Sequence, residues 1–335
     1  MIDYKSEYKG KTILITGGAG CIGSNLTKAL VDAKARKIVV LDDLSAAEKW
    51  NIPDDPSIEF IEGSVLDSVP YGALDKAFSA LPDYVFHLAA HFANQNSVDN
   101  PEEDLMVNGM GTLKVLQTAQ LVGVKRFVYS SSGCGVYGLD SEIPFKEYDV
   151  SISLHTPYQV TKLLGELYTN YFYNLYGLPI VNARFFNVYG PGEIPGMYRN
   201  VIPNFLWWAM HGEALPITGD GSETRDWTYV DDIVNGLLAM GIEEKAIGED
   251  FNLGSGRECK VSDMAEMVNM ITGNKAGVVY TERRNWDAKT RLLSCIEKAE
   301  RILGYEPKMR MEEGIGRVYR WIVSNRDRIE ECGKF

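Results

Sequence analysis

The sequence predicts an α/β fold, a doubly wound parallel sheet with helices on both faces, followed by a smaller C-terminal α/β region. Three observations predict it. Short, continuously apolar segments recur through the first half of the chain: TILIT (12–16), KIVVLD (37–42), IEFIEG (58–63), YVFHLA (84–89) and RFVYSS (126–131). Runs of this kind suit strands buried on both faces, whereas a half-exposed strand alternates apolar with polar. Amphipathic stretches of helix length, such as 22–33 and 101–122, separate several of these runs. Strand alternating with helix implies crossover connections and parallel pairing. The third observation is a glycine-rich turn directly after the first strand.

That turn is TGGAGCIGSN, in which Gly17, Gly20 and Gly23 follow the strand and Gly18, Gly20 and Gly23 also spell G-x-G-x-x-G. Glycine lets the backbone approach a pyrophosphate closely, and the next helix presents its N-terminus to the negative charge. The second strand closes as VVLDDLS, placing Asp42 nineteen residues beyond Gly23. A carboxylate there accepts the adenosine ribose hydroxyls and repels a 2′-phosphate. No arginine flanks Asp42 and Asp43 to welcome one, so the expected cofactor is NAD and not NADP.

The fourth strand runs into VFHLAAH, where His87 and His91 have the spacing of a helical metal pair but lie in a segment that favours strand. No metal is expected. The fifth strand leads into YSSSGCGVYG (129–138), which offers two candidate atoms: the Ser132 hydroxyl as a hydrogen-bond donor above the strand, or the Cys134 thiol as a nucleophile between Gly133 and Gly135. Next comes HTPYQVTKLLGELYTNYF, in which Pro157 suits a first helical position and Tyr158 and Lys162 fall on one helix face. An ammonium beside a phenol favours the phenolate, and a phenolate can take a proton from a hydroxyl. Beyond about residue 178 the alternation loosens, giving an expected division into a dinucleotide-binding domain, 1–178, and a substrate-binding domain, 179–335. Later segments are allowed to pack back onto the first.

Composition narrows the partners. At 335 residues, 45% hydrophobic and 24% charged, the chain can bury a large core. A net charge of −12 argues against nucleic acid and anionic membrane as partners. The start lacks a basic region with a long apolar run, and no stretch is long enough to span a bilayer, so a cytoplasmic protein is expected. Five cysteines without a C-x-x-C pair suggest neither a disulfide framework nor a zinc knuckle.

Taken together, the chain resembles the extended short-chain dehydrogenase/reductases, and within them the nucleotide-sugar epimerases of the UDP-galactose 4-epimerase type. The resemblance spans about Thr12 to Gly304. It rests on TGGAGCIG, HLAA (87–90), VNGMGT (107–112), SSS…VYG, PYQVTK, RFFNVYGPG (184–192), NVIPNF (200–205), GDGSETRDWTYVDD (219–232) and KAERILGY (298–305). It implies a Rossmann-type sheet, NAD as cofactor, a nucleotide-diphosphate sugar as substrate and a homodimer.

By the same resemblance, Ser132, Tyr158 and Lys162 are catalytic. The cofactor is met by Gly17, Gly20, Cys21, Ile22, Gly23, Asp42 and Asp43, by Ser64, Val65, Leu88, Ala89, Ala90 and Asn108, and by Ser130, Tyr158, Lys162 and Phe185. The substrate is met by Ser132, Asn187, Asn200, Val201, Arg225 and Arg284. RRNWD (283–287) stands where the family carries R-x-G-D, with Trp286 in place of glycine. Two departures bear on chemistry. Three residues, and not the usual two, separate Ser132 from VYG, so Ser131 stays open as a substitute. Gly135 stands where family dehydratases and decarboxylases carry a glutamate, which points to oxidation and re-reduction at C4 without elimination. A dehydrogenase, a dehydratase, an epimerase of another nucleotide sugar and an NAD-binding regulator without turnover remain the alternatives.

Overall fold

The computed structural model describes residues 4–68, 70–139 and 141–332. Seven strands form the central sheet: β1 (Thr12–Thr16), β2 (Lys37–Asp42), β3 (Ile58–Glu62), β4 (Tyr84–His87), β5 (Arg126–Ser132), β6 (Ile180–Phe185) and β11 (Asp250–Leu253). Their order is β11-β6-β5-β4-β1-β2-β3, and every neighbouring pair is parallel. From β1 the chain proceeds outward through β2 and β3, then returns to place β4 on the other side of β1. This reversal opens a crevice at the carboxyl ends of β1 and β4, where ligands of such sheets bind.

The central strands are continuously apolar because both faces are covered, whereas β3 at the sheet edge leaves Glu59 and Glu62 exposed. Ile13 and Ile15 point into one core with Phe86, Val181, Leu237 and Ile315, and Leu14 points into the other with Val39, Phe127, Leu116 and Phe172. Full burial of each such side chain is worth roughly 1.5–3 kcal/mol. The segment 101–122 is helical throughout but changes winding: Leu105–Gly111 is π-helical between the α-helical turns Pro101–Asp104 and Thr112–Val122. Among the described residues no helix is long and apolar enough to cross a membrane.

Two strands from beyond residue 178, β6 and β11, complete the sheet. The smaller region is built from short pairs at the sheet's carboxyl side: β7 (Val188–Tyr189) with β10 (Thr228–Tyr229), β8 (Leu215–Thr218) with β13 (Val278–Thr281), and β9 (Thr224–Asp226) with β12 (Glu258–Lys260). Its helices Val201–Met210, Val230–Ile242 and Met311–Ser324 share the first of the two cores.

Candidate active site

The glycines after β1 are fixed by close approach. Gly17 adopts φ +71°, and a Cβ there would lie 2.6 Å from the Ala89 nitrogen. A Cβ on Gly23 would lie 2.3 Å from the Gly17 carbonyl oxygen. Neither position accepts a side chain. The loop is held from below by Asp42, whose carboxylate accepts the backbone N–H groups of Ala19 and Leu44, each at 2.9 Å. Burial pushes the Asp42 carboxyl up, and those two hydrogen bonds pull it down. The helix Cys21–Asp32 then starts with no side-chain cap, leaving its first N–H groups facing the crevice.

One cleft of about 360 Å³ collects most of the expected residues. Gly17, Gly20, Cys21, Ile22 and Gly23 form one wall, with Asp42, Asp43 and Val65 at the end of the neighbouring strands. Leu88, Ala89 and Ala90 line it from the loop after β4, and Ser130, Ser132, Tyr158, Lys162 and Phe185 close the far end. Asn187 and Asn200 line it from the smaller region. Five expected residues stand outside this wall. Ser64 accepts the Leu66 N–H in a turn. Asn108 is buried and clasps the His91 backbone, accepting its N–H at 2.8 Å and donating to its carbonyl at 3.1 Å, so it shapes the cleft from behind. Val201 opens the helix after Asn200. Arg225 pairs with Asp287 at 3.3 Å, and exposed Arg284 lies over the Trp286 ring at 5.6 Å.

Strand alternation sends the two serines to opposite faces of β5. Ser131 donates its hydroxyl to the buried Glu166 carboxylate, while Ser132 lines the cleft with Tyr158, near enough to its phenol to draw the pKa down. The extra residue of the loop is absorbed by a single helical turn, Gly133–Val136. Gly133 must lack a side chain because a Cβ there would lie 2.0 Å from the Phe186 ring. The Cys134 thiol donates to Asn187 at 3.4 Å, and burial pushes it up, so it is not a thiolate.

Tyr158 and Lys162 are placed by the helix Pro157–Tyr176, which opens with Thr156 and Gln159 satisfying each other's backbone N–H groups. Lys162 donates to the Ser130 carbonyl at 2.8 Å, and its Nζ lies 5.6 Å from the centre of the Tyr158 ring. The expectation that lysine lowers the phenol is not met by this arrangement. Burial pushes Tyr158 up, the nearby Cys134 and Asp104 add to this, and Ser132 opposes it. Lys162 itself is pushed down to about 8 by burial, against Asp104 and Glu166.

His87 and His91 are separated by the end of β4. His87 is wholly buried between the hydroxyls of Thr16 (2.7 Å) and Thr112 (3.0 Å), and burial drives it down to about 3. Two residues that sequence reasoning passed over also line the cleft: Glu193, bound by the Asn200 backbone N–H at 2.9 Å, and Arg199. They lie in the loop GEIPGMYRN, whose only signal is its position just before Asn200.

The chain's likenesses agree with this site. A family model described as NAD dependent epimerase/dehydratase family matches residues 13–254, from β1 to the end of β11. A UDP-glucose 4-epimerase of Mycolicibacterium smegmatis is 33% identical over 91% of this chain and 96% of its own. An epimerase of Methanothermobacter thermautotrophicus, a thermophilic pseudomurein-containing methanogen, has a solved structure 65% identical to this chain. It superposes with a TM-score of 0.97 over all of this chain and 98% of its own. A Bordetella bronchiseptica enzyme solved in complex with NAD+ and UDP is 34% identical, with a TM-score of 0.82 over 97% of this chain and 96% of its own. The match covers the whole sheet, the glycine cradle suits the dinucleotide that the family uses, and the cofactor is NAD: the chain belongs to the NAD-dependent epimerase/dehydratase family.

Proposed function

We propose that the protein is a nucleotide-sugar 4-epimerase of the UDP-glucose/UDP-galactose type. The observation that carries this reading is the convergence of Ser132, Tyr158 and Lys162 at one end of the cleft, with the Lys162 ammonium 5.6 Å from the centre of the Tyr158 ring. The cradle of Gly17, Gly20 and Gly23 fits NAD, since Gly17 and Gly23 have no room for a Cβ against the neighbouring backbone, which draws the loop tight over the uncapped start of the helix Cys21–Asp32, where a pyrophosphate binds. When bound, NAD+ supplies a cationic ring able to accept a hydride from a sugar carbon and to return it.

Tyr158 takes the proton of the C4 hydroxyl and later gives it back, and Ser132 aligns that hydroxyl and steadies the phenolate oxygen. Proton transfer by a group whose phenol burial holds high requires a nearby positive charge. Bound NAD+ would bring one, while Lys162 holds the Ser130 carbonyl behind the pair. The sugar must present each face of C4 in turn while its nucleotide stays anchored, a task assigned to Asn187 and Asn200 in the cleft. Arg225 and Arg284 serve the diphosphate.

Elimination is disfavoured because Gly135 offers no acid to protonate a leaving hydroxyl. A uronate epimerase is the second reading; Gly192 in place of an arginine after VYGP counts against it. The substrate test is a panel of UDP-, GDP-, CDP- and dTDP-sugars followed by NMR. A C4 epimer formed with no net release of NADH supports the reading, and a dehydrated product or stoichiometric NADH overturns it.

A homodimer belongs to the same proposal. The helical segment 101–122 and the helix Pro157–Tyr176 expose Leu105, Met106, Met110, Val160, Leu167 and Tyr171. Such a patch marks a protein interface. Leu167→Glu is expected to yield a monomer by light scattering, and a wild type already monomeric at micromolar concentration removes the proposal.

A further inference from the structure

The helical turn that follows Ser132 is clamped from a distant part of the chain. Lys289, 152 residues beyond Tyr137, donates its ammonium to the carbonyl of Tyr137 and, at 3.2 Å, to that of Cys134. These carbonyls sit within and just after the one-turn helix Gly133–Val136, which has no further turn to satisfy them. The ammonium lies 5.6 Å from the centre of the Phe145 ring. The charged or titratable neighbours that act on it are Cys134 and Arg225. Its stem is largely buried and burial pushes it down to about 8, so its charge is held there by carbonyl dipoles and a ring face.

We infer that Lys289 is a positioning residue for catalysis, holding the turn 133–136 so that Ser132 faces Tyr158. The inference rests on the proposed role of Ser132 and deepens it. Two of the turn's four residues are glycine, and it carries one residue more than the spacing usual in the resembled family. Glycines leave the backbone free to move, and Gly135 packs directly on the Ser132 side chain, so a shift of the turn moves the serine. Lys289 comes from the same segment as Arg284 and Asp287, and Asp287 pairs with Arg225. The clamp therefore ties the segment assigned to the diphosphate to the serine that meets the sugar. Binding energy from the nucleotide end thus helps to order the reacting end.

The test is a double-mutant cycle on the full-length, NAD-loaded protein. Lys289→Met is expected to lower kcat about tenfold or more, with NAD content and UDP affinity within about twofold of wild type, and Lys289→Arg to recover part of the loss. In a Ser132→Ala background, Lys289→Met should cost less than about threefold, because the group it positions is already gone. Hydrogen–deuterium exchange of the peptide covering 133–137 should be faster in Lys289→Met whatever the activity. Losses that multiply fully across the cycle, an unchanged kcat, or unchanged exchange overturn the inference. Should Lys289→Met not fold, Lys289→Gln takes its place in the cycle. A wild type without turnover on any sugar of the panel sinks the proposed function instead, and exchange of the turn still decides whether Lys289 holds it.

Discussion

Ser131 and Ser132 are neighbours in sequence but face opposite sides of β5. The Ser131 hydroxyl is bound to Glu166, which Arg184 grips through Nε and Nη2 at 2.8 Å each, whereas Ser132 lines the cleft with Tyr158. Ser131→Ala is therefore expected to lower stability by roughly 1.5–3 kcal/mol, the range for a hydrogen bond to a charged group, and to leave turnover near wild type. Ser132→Ala should do the reverse, lowering kcat by about 10- to 100-fold with little change in melting temperature. Thermal melts and steady-state rates of the two variants check the pair. Inactive Ser131→Ala with active Ser132→Ala would reverse the assignment.

Cys134 lines the cleft beside these groups, yet its thiol is held protonated by burial and donates to Asn187. A protonated thiol is a poor nucleophile. Cys134→Ala should keep activity within a few-fold of wild type. Loss of all turnover in Cys134→Ala would require a covalent mechanism.

The proposed base is Tyr158. Its replacement by phenylalanine keeps the ring that packs edge-on against Phe92 at 6.1 Å, so the fold and cofactor binding should survive. Turnover should fall by roughly 10²–10⁴-fold, the range for loss of a general base. Because burial holds the phenol high in the cofactor-free protein, loading with NAD+ should shift the ultraviolet phenolate titration to lower pH, with Tyr158→Phe as the blank. A titration that NAD+ does not move would place the activating charge elsewhere.

Much of this architecture was legible in the sequence because short apolar runs mark the strands, although the edge strand β3 carries Glu59 and Glu62 on exposed positions. β6 was harder to see because Asn182 and Arg184 interrupt it. Both side chains are buried and take partners from other elements, the Asn182 amide N–H donating to Asp250 and Arg184 to Glu166 and Asp250. Partners so distant in sequence leave no local pattern. The cradle and the Tyr158/Lys162 pair were readable from spacing, since one strand end and one helix face bring them together. The role of Asn108 depends on a π-helical stretch, and Lys289 reaches the site only through tertiary folding; neither has a signature in spacing.

Asp42 does more than the spacing of the second strand suggested. It supports the glycine loop through the Ala19 N–H and the turn after β2 through the Leu44 N–H, leaving further lone pairs for ribose hydroxyls. Asp42→Ala should thus weaken NAD binding about 10- to 100-fold, from the loss of hydrogen bonds worth roughly 1.5–3 kcal/mol, and narrow the preference over NADP. Calorimetry on the cofactor-stripped protein measures both. Equal affinity of wild type for NAD and NADP would contradict the assignment.

The last prediction concerns acid stability and follows from His87. Its ring is wholly buried between Thr16 and Thr112 and is held neutral, with its pKa driven from 6.5 to about 3 by burial and, secondarily, by the charge of Lys162. Between those two values the unfolded chain binds a proton that the folded chain refuses, so folding stability rises with pH across that window. The contribution is fully present above pH 6.5 and is lost as pH falls towards 3, at up to about 1.4 kcal/mol per pH unit. His87→Gln keeps a polar group that can reach one of the two threonines but cannot titrate. At pH 7 it should be less stable than wild type, because the fit between the two hydroxyls is spoiled. By pH 5 the difference should have narrowed by about 2 kcal/mol, since only the wild type has been losing stability through this residue. Urea unfolding of both proteins at the two pH values checks this. A gap that stays constant would mean that His87 titrates in the folded protein much as it does in the unfolded one, and that the buried, neutral ring between Thr16 and Thr112 is wrong.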